Sequence, residues 1–588
     1  MELWGGPECT VNRVGDAFRD QTRLTGHQDR PDDLARFAGL GIKALRYPML
    51  WERVAPDVAT ARDWSWTDAR FAEIRDLGMR PIAGLIHHGS GPRYTSLVAD
   101  DFVPLFTDYA AAAAERYPWI DDWTPVNEPL TTARFSALYG FWYPHQRDER
   151  GFWTALMNQI DATRGAMRAI RRVNPAARLV QTEDLGFYYS TPELAGVAAL
   201  YNERRWLTWD LLTGRVGPGH AMWSGIEAAG LGDRARAIAD DPCPPDIVGV
   251  NHYVTSERFL DHRDYPFPKA AEGYHDHTAA RVLHPPPLGL RALLRQTWDR
   301  YGLPVAVTES HLGCTREEQL RWLMQSWRTC ETLCDEGVDI RALTAWALVG
   351  NVDWSSLITR DHGDYEPGAW DVSGPSPRAT ALAGLLRGLG GDRHALAHWR
   401  AHPALAGPGW WRRDIRFIHP RFAWGEAEAE AASDADVRPI LITGATGTLG
   451  RAFAGACDLR GLTYQLTDRA MLPIDDADAV ERVGGRQHRR LGPRRRCGGR
   501  GRGVHGGQCA RCRDPSAGVR GAGHPLHDIL VRPRIRRPPR RGLFGKRPPG
   551  PAGGLRPKQG GSGAARRRRG RAGADRAHRR VLLALRRA

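Results

Sequence analysis

Short apolar runs alternate with longer amphipathic segments through the first 400 residues, and this alternation constrains the fold more than any other feature. The pattern is typical of repeated strand–helix units. Eight units in about 380 residues predict an α/β fold, a (β/α)8 TIM barrel with long loops. Helices are expected between the strands, for example at Pro31–Leu40 and Asp100–Tyr117. The predicted strands are Leu3–Gly6, Ile42–Tyr47, Arg80–Leu85, Trp123–Asn127, Arg178–Thr182, Ile247–Asn251, Val305–Thr308 and Leu343–Ala347.

Polar residues follow most of these strands, at the end of the barrel where such folds place their chemistry. Any single polar strand end is as well explained by a helix cap or a loop. The whole set predicts a functional site instead. Its members are Arg46, His87-His88, Asn127-Glu128, Glu183-Asp184, Asn251-His252-Tyr253, Glu309, and Asn351 with Asp353-Trp354.

Glu128 and Glu309 follow the fourth and seventh predicted strands, which face one another across a barrel mouth. Glycoside hydrolysis needs such a pair, one acid to protonate the leaving oxygen and one carboxylate on the other side of the anomeric carbon. A separation of about 5–5.5 Å is typical of retention and about 6.5–9.5 Å of inversion. The pair therefore predicts a glycosidase and leaves its stereochemistry open.

Five segments resemble family 1 of the glycoside hydrolases and occur in that family's order. Residues 124–129 are similar to its Thr-x-Asn-Glu-Pro acid/base motif, and residues 307–310 are similar to its Thr-Glu-Asn-Gly nucleophile motif. Together with residues 249–253, residues 45–51 and residues 345–354, they span nearly all of residues 1–400. The resemblance implies a retaining β-glycosidase.

The resemblance also implies a role for each matching catalytic residue. Glu128 would be the general acid and then the general base, with a raised pKa. Glu309 would be the nucleophile, kept ionised by Arg46 and hydrogen-bonded by Tyr253. The double displacement would need no cofactor and no metal.

Substrate contacts follow from the same resemblance, but several positions depart from the family pattern. Asn12 stands in place of a Gln, His88 in place of a Trp, Asp353 in place of a Glu, and Ser310 in place of an Asn. The sequence therefore leaves the identity of the sugar open. It also leaves open a sugar-binding barrel without hydrolysis as an alternative. The expected substrate-binding residues are Asn12, His87, Asn127, Asn251, Trp346, Asp353 and Trp354.

A second α/β unit is predicted over residues 437–483, after a connector at 401–436. The apolar run 439–443 leads into a Gly-x-x-Gly-x-x-Gly loop formed by Gly444, Gly447 and Gly450, and a second strand ends at Asp468-Arg469. Such a loop lets backbone amides approach a pyrophosphate. The unit resembles the start of an extended short-chain dehydrogenase of the dTDP-4-dehydrorhamnose reductase type, which implies NAD(P) binding, with Arg469 favouring NADP.

Two features limit that second interpretation. The resembling reductases use a Tyr-x-x-x-Lys pair, and the last tyrosine of this sequence is Tyr464. From Gly484 onward the sequence also loses strand and helix periodicity and becomes rich in Arg, Gly and Pro. The alternative function, a nucleotide-sugar reductase, is therefore incomplete in this sequence.

The overall charge of +16 comes entirely from the segment 484–588. That segment holds 31 of the 83 Lys and Arg but 3 of the 67 Asp and Glu, so the preceding 483 residues carry a net charge of −12. We interpret the segment as a disordered tail and hypothesise that it is an out-of-frame translation of a GC-rich gene. An Arg/Gly-rich nucleic-acid-binding arm is the alternative, but Phe544 is its only aromatic ring for base stacking.

Other sequence features exclude several classes of protein. No apolar run reaches the roughly 18–20 residues of a membrane span, and the start lacks the pattern of a signal peptide. The nine cysteines do not form a disulfide framework, Cys509 and Cys512 lack the second pair of a zinc site, and Cys330 and Cys334 are predicted on a helix. A bacterial cytoplasmic enzyme acting on a small-molecule glycoside is expected.

Overall fold

The computed structural model describes residues 1–264, 269, 272–283 and 285–413. Within 440–468 it also describes residues 440–445, 447, 450–451, 453–454, 457 and 464–468. The described residues group into two compact units, one that contains the barrel and one that contains residues 440–468. The predicted residue Arg469, residues 414–436 of the connector and the segment 484–588 lie outside the described residues.

Eight parallel strands close into a barrel in which each strand pairs with its neighbours in sequence and β1 pairs with both β2 and β8. All eight predicted strands are barrel strands, so the (β/α)8 prediction is confirmed. The strands are β1 Glu2–Gly5, β2 Ala44–Pro48, β3 Arg80–His87, β4 Asp122–Asn127, β5 Arg178–Asp184, β6 Ile247–His252, β7 Val305–Ser310 and β8 Ile340–Ala345.

Several strands run further toward the barrel mouth than their apolar runs predict. β3 extends to His87, which pairs with Asn127, and β5 extends to Asp184, which pairs with Asn251. Ladder hydrogen bonds come from the backbone and continue where the side chains become polar. The mouth is therefore rimmed by polar side chains on rigid strands. β8 instead begins and ends earlier than predicted, which leaves Trp346 just beyond it.

Trp4 fills the barrel interior from β1. It is 2% exposed and lies in a cluster with small residues that include Ala44, Ala306 and Ala342. Large and small side chains from different strands fill the interior in this way, so the barrel is a packed core and not a pore. The chemistry is consequently confined to the mouth.

The helices pack on the outside of the barrel, and Cys330 and Cys334 lie on one of them as predicted. The α-helices are α1 Gln21–Leu24, α2 Asp33–Ala38, α3 Trp51–Val54, α4 Ser65–Asp76, α5 Phe102–Arg116, α6 Pro129–Ala133, α7 Glu149–Val173, α8 Ala195–Arg204, α9 Leu207–Leu212, α10 Trp223–Ala228, α11 Gly232–Asp240, α12 Leu290–Tyr301, α13 Arg316–Asp335, α14 Ala381–Leu389 and α15 Arg393–Ala401.

Shorter elements lie in the segments that connect the barrel strands and helices and in the segment after α15. A π-helical turn, Arg134–Leu138, continues from α6. The additional strands are the hairpin Val11–Val14 with Ala17–Asp20, the sheet of Tyr188–Ser190, Arg258–Asp261 and His275–Thr278, the pair Asn351–Val352 with Tyr365–Glu366, and the pair Trp370–Asp371 with Arg378–Ala379. The 3-10 turns are Pro192–Leu194, Ala279–Arg281, Trp354–Ser356, Pro403–Leu405 and Trp410–Arg412.

The second unit contains two parallel strands, β9 Ile440–Thr443 and β10 Tyr464–Thr467, paired in register. Between them Gly444 has a φ of +96°, in the left-handed region that favours glycine. A Cβ at Gly450 would lie 2.2 Å from the Gly444 carbonyl oxygen, so the turn also requires glycine there. This tight turn follows β9 at the position of the predicted Gly-rich loop. Within the described ranges, no helix combines the length and apolar character that a bilayer crossing requires.

Candidate active site

Glu309 lies near the end of β7 and is held by two partners at the barrel mouth. Arg46 Nη1 donates to Glu309 Oε1 at 2.7 Å and to the Thr308 carbonyl at 2.8 Å. The hydroxyl of Tyr253 donates to the other carboxylate oxygen, Oε2. Glu309 itself is 2% exposed. One cation and one hydroxyl therefore orient a nearly dry carboxylate, as the sequence predicts.

Glu128 follows β4 and has a different environment. Asn251 Nδ2 donates to Glu128 Oε1 at 2.6 Å, and Thr308 Oγ1 donates to the Asn251 amide oxygen at 2.7 Å, which fixes the orientation of that amide. His88 Nε2 lies 3.7 Å from Glu128 Oε2. Among the described residues, no Arg or Lys bonds to Glu128. Asn251, predicted to bind substrate, therefore contacts the acid/base candidate directly.

Asn127 connects the two carboxylate environments. Its Oδ1 accepts from Arg46 Nη2 and from Thr182 Oγ1, both at 2.7 Å, so its Nδ2 faces the imidazoles. The Nε2 atoms of His87 and His88 lie 3.3 and 3.4 Å from that amide nitrogen. Together with Asn251 and Thr308, the predicted catalytic residues and Asn127 thus form one hydrogen-bonded cluster.

Burial and charge separate the two carboxyl groups chemically. Burial raises the pKa of Glu309 to about 7, against the lowering effect of Arg46 and Tyr253. Burial, followed by the negative charge of Glu309, raises the pKa of Glu128 well above its usual value. Glu309 has a cationic partner and Glu128 has none, so Glu309 ionises first while Glu128 keeps its proton. This is the division of roles that an acid and a nucleophile need.

The two histidines are neutral in this pocket. Burial lowers the pKa of His87 well below its usual value, and burial with the nearby Arg46 lowers the pKa of His88 to about 3. A neutral imidazole can both donate and accept hydrogen bonds. His87 and His88 therefore suit hydroxyl groups of an uncharged ligand rather than ion pairing with the carboxylates.

Aromatic rings form the walls of the pocket. The His87 ring stacks on Trp346 with centroids 5.4 Å apart and planes 7° apart, and the Arg46 guanidinium lies 4.9 Å from the Trp346 ring centroid. A Cβ at Gly6 would lie 2.5 Å from the Trp346 ring, so glycine is needed beside this indole. Trp354 makes an edge-to-face contact with the His88 ring, with centroids 5.6 Å apart.

Around the loop 351–358, three buried polar atoms have no hydrogen-bond partner among the residues that the structure describes. Asn12 is 0% exposed; its Nδ2 donates to the Ile358 carbonyl at 3.3 Å, whereas its Oδ1 has no partner. Asn351 Oδ1 and Trp354 Nε1 are likewise buried without a partner. Buried polar groups are normally paired. Three unpaired polar atoms beside this pocket are what binding of ligand hydroxyl groups would require.

Asp353, a predicted substrate contact, hydrogen-bonds to its own loop in the structure. Its carboxylate accepts from the backbone amides of His362, Gly363 and Asp364 at 3.1, 3.2 and 2.9 Å. The residue has a left-handed backbone with φ +60° and is 2% exposed. Three backbone donors occupy the carboxylate, so the structure makes Asp353 a residue that holds a loop.

Two buried glutamates beside the pocket have no predicted role, and only Glu8 is missing from the predicted set of polar strand ends. Glu8 Oε2 accepts from Trp346 Nε1 at 3.0 Å, and Glu8 is 3% exposed. It follows β1, so the same reasoning about strand ends would have found it. Glu183 is among the predicted polar strand ends, but no role follows from its sequence position. It is 0% exposed near the end of β5.

Three backbone amides of the glycine-rich loop are already hydrogen-bonded within the second unit. The amides of Gly444 and Ala445 donate to the Thr467 carbonyl at 2.8 and 3.0 Å, and the Gly447 amide donates to the Gly444 carbonyl at 2.9 Å. Asp468 follows β10 and is half-buried. A pyrophosphate would therefore depend on amides beyond these three.

Comparisons with known proteins agree with the barrel fold. No protein-family model matches the chain. A 6-phospho-beta-glucosidase of Dickeya chrysanthemi is 23% identical over 394 residues, which cover 59% of this chain and 81% of the relative. Beta-glucosidase 4 of Oryza sativa subsp. japonica is 22% identical over 420 residues, covering 62% and 86%. A family 1 β-glucosidase from Thermotoga maritima superposes with a TM-score of 0.52 at 16% identity, covering 66% of this chain and 97% of that one. The chain therefore shares the (β/α)8 fold of these enzymes.

Proposed function

We propose that the barrel is a glycosidase of the family 1 type that cleaves a β-glycosidic bond with retention. The observation that carries the proposal is the asymmetry of the two buried carboxyls. Glu309 is bonded to Arg46 and Tyr253, whereas Glu128 is bonded to the neutral amide of Asn251. The names of the sequence relatives, β-glucosidases and 6-phospho-β-glucosidases, support the same reaction class.

In the proposed mechanism Glu309 attacks the anomeric carbon while Glu128 transfers its proton to the leaving oxygen. The glycosidic C–O bond breaks, and a covalent glycosyl–enzyme ester forms. Glu128, now ionised, removes a proton from water, which attacks the same carbon and releases Glu309. Two carboxyls and water balance both steps, so hydrolysis needs no cofactor.

The pocket also indicates how the sugar is oriented. Asn127 and the neutral histidines offer hydrogen bonds near the carboxylates, and Trp346 and Trp354 offer flat walls for sugar faces. Hydrogen bonds to the 2-hydroxyl tighten in the transition state of such enzymes. We assign that contact to Asn127, whose amide is already fixed by Arg46 and Thr182.

The test is turnover of p-nitrophenyl β-glycosides by the full chain, with 6-phosphorylated sugars in the panel because several relatives act on them by name. Glu309→Ala and Glu128→Gln are expected to lose at least about a hundredfold in kcat/KM. Exposed Glu317→Ala is the matched control and keeps full activity. NMR of the first-formed anomer checks retention. Turnover that survives in Glu309→Ala would contradict the proposal.

A sugar-binding barrel without hydrolysis is the alternative. The unpaired atoms Asn12 Oδ1 and Trp354 Nε1 support sugar binding independently of catalysis. Calorimetry with the same sugars distinguishes the two functions. Binding without turnover anywhere in the panel would favour this alternative.

For the second unit we propose the start of a nucleotide-binding Rossmann unit of the dTDP-4-dehydrorhamnose reductase type. Support comes from the parallel pair β9–β10 and the glycine turn at Gly444 and Gly450. Without a tyrosine beyond Tyr464 in this sequence, we propose NAD(P) binding and not reduction. NADPH fluorescence titration tests it, with Gly450→Val expected to abolish binding. For the whole protein we also propose a cytoplasmic location.

A further inference from the structure

Glu183 is a buried carboxyl group that the proposed reaction does not use. Its Oε2 accepts from the Leu130 amide at 2.8 Å and from Thr208 Oγ1 at 2.7 Å. Its Oε1 accepts from the amide and hydroxyl of Thr131 at 3.1 and 2.7 Å, and from the Asp184 amide at 3.2 Å. Three of these donors are backbone amides, which can only donate. The surroundings are therefore built for a carboxylate acceptor.

These bonds hold the chain immediately after Glu128. Glu128 has a left-handed backbone, φ +48° and ψ +63°, which costs a non-glycine residue about 1 kcal/mol or more. Its amide donates to the Thr182 carbonyl at 3.2 Å. Helix α6 then begins at Pro129, which has no N–H. The end of β5 thus holds the chain on both sides of Glu128.

The arrangement leaves the Glu128 side chain free for chemistry. Glu128 occupies the N-cap position of α6, but its carboxyl makes no capping bond and instead meets Asn251. The first free amides of α6, those of Leu130 and Thr131, are bonded by Glu183. A carboxylate from a neighbouring strand therefore does the capping that the N-cap side chain normally does.

We propose that Glu183 is a positioning residue that holds Glu128 at the reacting atoms and keeps it competent as the general acid. The inference rests on the proposed glycosidase function. In this proposal Glu183 keeps the general acid in position without contacting the substrate itself.

Electrostatics support the same assignment. After burial and Glu309, the negative charges of Asp184 and Glu183 are the further causes that raise the pKa of Glu128. Removing the Glu183 charge should lower the pKa of Glu128, so the acid would lose its proton at lower pH. The alkaline limb of kcat/KM reports that group in the free enzyme.

The first experiment compares two leaving groups in Glu183→Gln and the wild type. The amide keeps the shape of the side chain but removes the charge and turns a nitrogen toward donors. For p-nitrophenyl glycosides kcat/KM should fall at least about tenfold, but for 2,4-dinitrophenyl glycosides, which need little acid help, less than about threefold. The alkaline limb should move to lower pH.

Glu257→Gln is the matched control. Glu257 is 5% exposed and accepts from the Gly289 amide at the start of α12 at 3.2 Å and from Tyr189 at 3.1 Å. It is thus a second buried carboxylate that accepts a backbone amide next to a helix N-terminus, but one that bonds to none of the site residues. Its variant should lose stability without moving the alkaline limb. If Glu183→Gln behaves the same way, with unchanged leaving-group dependence, Glu183 is only structural and the proposal is overturned.

A second measurement does not need turnover. Infrared titration of protein labelled with ¹³C at glutamate carboxyls, with Glu128→Gln identifying the band, follows protonation of Glu128 directly. Its midpoint should lie at lower pH in Glu183→Gln than in the wild type, and an identical midpoint would overturn the proposal. A wild type that hydrolyses no glycoside would refute the proposed function alone, because this titration still tests Glu183.

Discussion

At the scale of single residues, buried acidic groups beyond the catalytic pair shape the site. Glu8 bonds the indole of Trp346 and its charge raises the pKa of Glu309, acting against Arg46. Glu52 lies on α3, and its Oε1 accepts from the Gly91 amide at 3.1 Å in the loop after the histidines. Each of these carboxyls acts through a neighbouring residue. Each should give its own pH dependence, Glu8 in kcat/KM and Glu52 in the free energy of unfolding.

Glu8→Gln should shift the acid limb of kcat/KM to lower pH. The neutral amide removes a negative charge beside Glu309, so the nucleophile ionises more easily; the shift should be up to about 1 pH unit. A pH profile on p-nitrophenyl glycosides measures it. Trp346→Phe is the control, because it removes the same hydrogen bond but keeps the Glu8 charge. An acid limb that moves only in Trp346→Phe would contradict this role.

Glu52→Gln should remove a pH dependence of stability. Burial raises the pKa of Glu52 to about 7, and its Oε2 has no partner within the described part of the chain. Between pH 4.5 and about 7 the unfolded state releases the proton and the folded state keeps it, so stability falls as pH rises through this window. The loss is about 3 kcal/mol. Denaturant unfolding at pH 4.5 and 7.5 should show it in the wild type. An equal loss in the variant would refute it.

At the scale of elements, the loop 351–366 after β8 is held in a strained conformation by its neighbours. Asp353, Leu357 and Ile358 all have left-handed backbones, with φ of +60°, +52° and +51°. Asn12 and Trp142 bond the Ile358 and Leu357 carbonyls, the latter at 2.7 Å. Such a conformation persists only where surrounding bonds impose it. The loop that carries Trp354 is therefore placed by Asp353 and its neighbours.

Asp353→Ala should disturb the whole loop. Three backbone amides lose their buried acceptor, so we expect a loss of about 1–3 kcal/mol in the free energy of unfolding. KM should rise by a similar factor for every sugar in the panel, because Trp354 moves with the loop. Thermal unfolding and KM for glucosides and galactosides measure both effects. A changed preference between glucosides and galactosides at unchanged stability would contradict this expectation. It would support the predicted substrate contact instead.

At the scale of the whole molecule, the described barrel unit contains every predicted catalytic and substrate-binding residue. The second unit contributes β9, β10 and the glycine turn. Net charge is distributed unevenly along the sequence. Residues 484–588 carry 31 basic side chains, whereas the preceding 483 residues are acidic overall. The out-of-frame origin of that segment stays a hypothesis, and resequencing the gene tests it.

Ending the chain after residue 413 should leave glycosidase kinetics within about twofold of the full chain, because the site residues all precede that point. Binding to heparin or DNA should be lost, since counterion release by clustered arginines drives such binding. Kinetics on the preferred p-nitrophenyl glycoside and salt elution from heparin measure the two effects. Heparin binding that survives the truncation would place the polyanion site on the barrel.

The sequence by itself determined the barrel and the chemical class of its mouth. Strand–helix alternation is a local pattern, and side chains at the ends of parallel strands must converge when the sheet closes. The eight strands and the cluster of Glu128, Glu309, Arg46 and Tyr253 therefore follow from residues read in order. Strand ends such as β3 and β5 were misplaced because backbone pairing continues past the apolar run.

Tertiary structure alone decided which strand-end residues meet which partners. Asp353 turns to the amides of its own loop, Asn251 bonds Glu128, and Glu183 caps the helix after another strand. These bonds join residues from about 10 to more than 120 positions apart, and their free energy depends on burial that no local pattern encodes. The closed barrel supplies both the proximity and the exclusion of water.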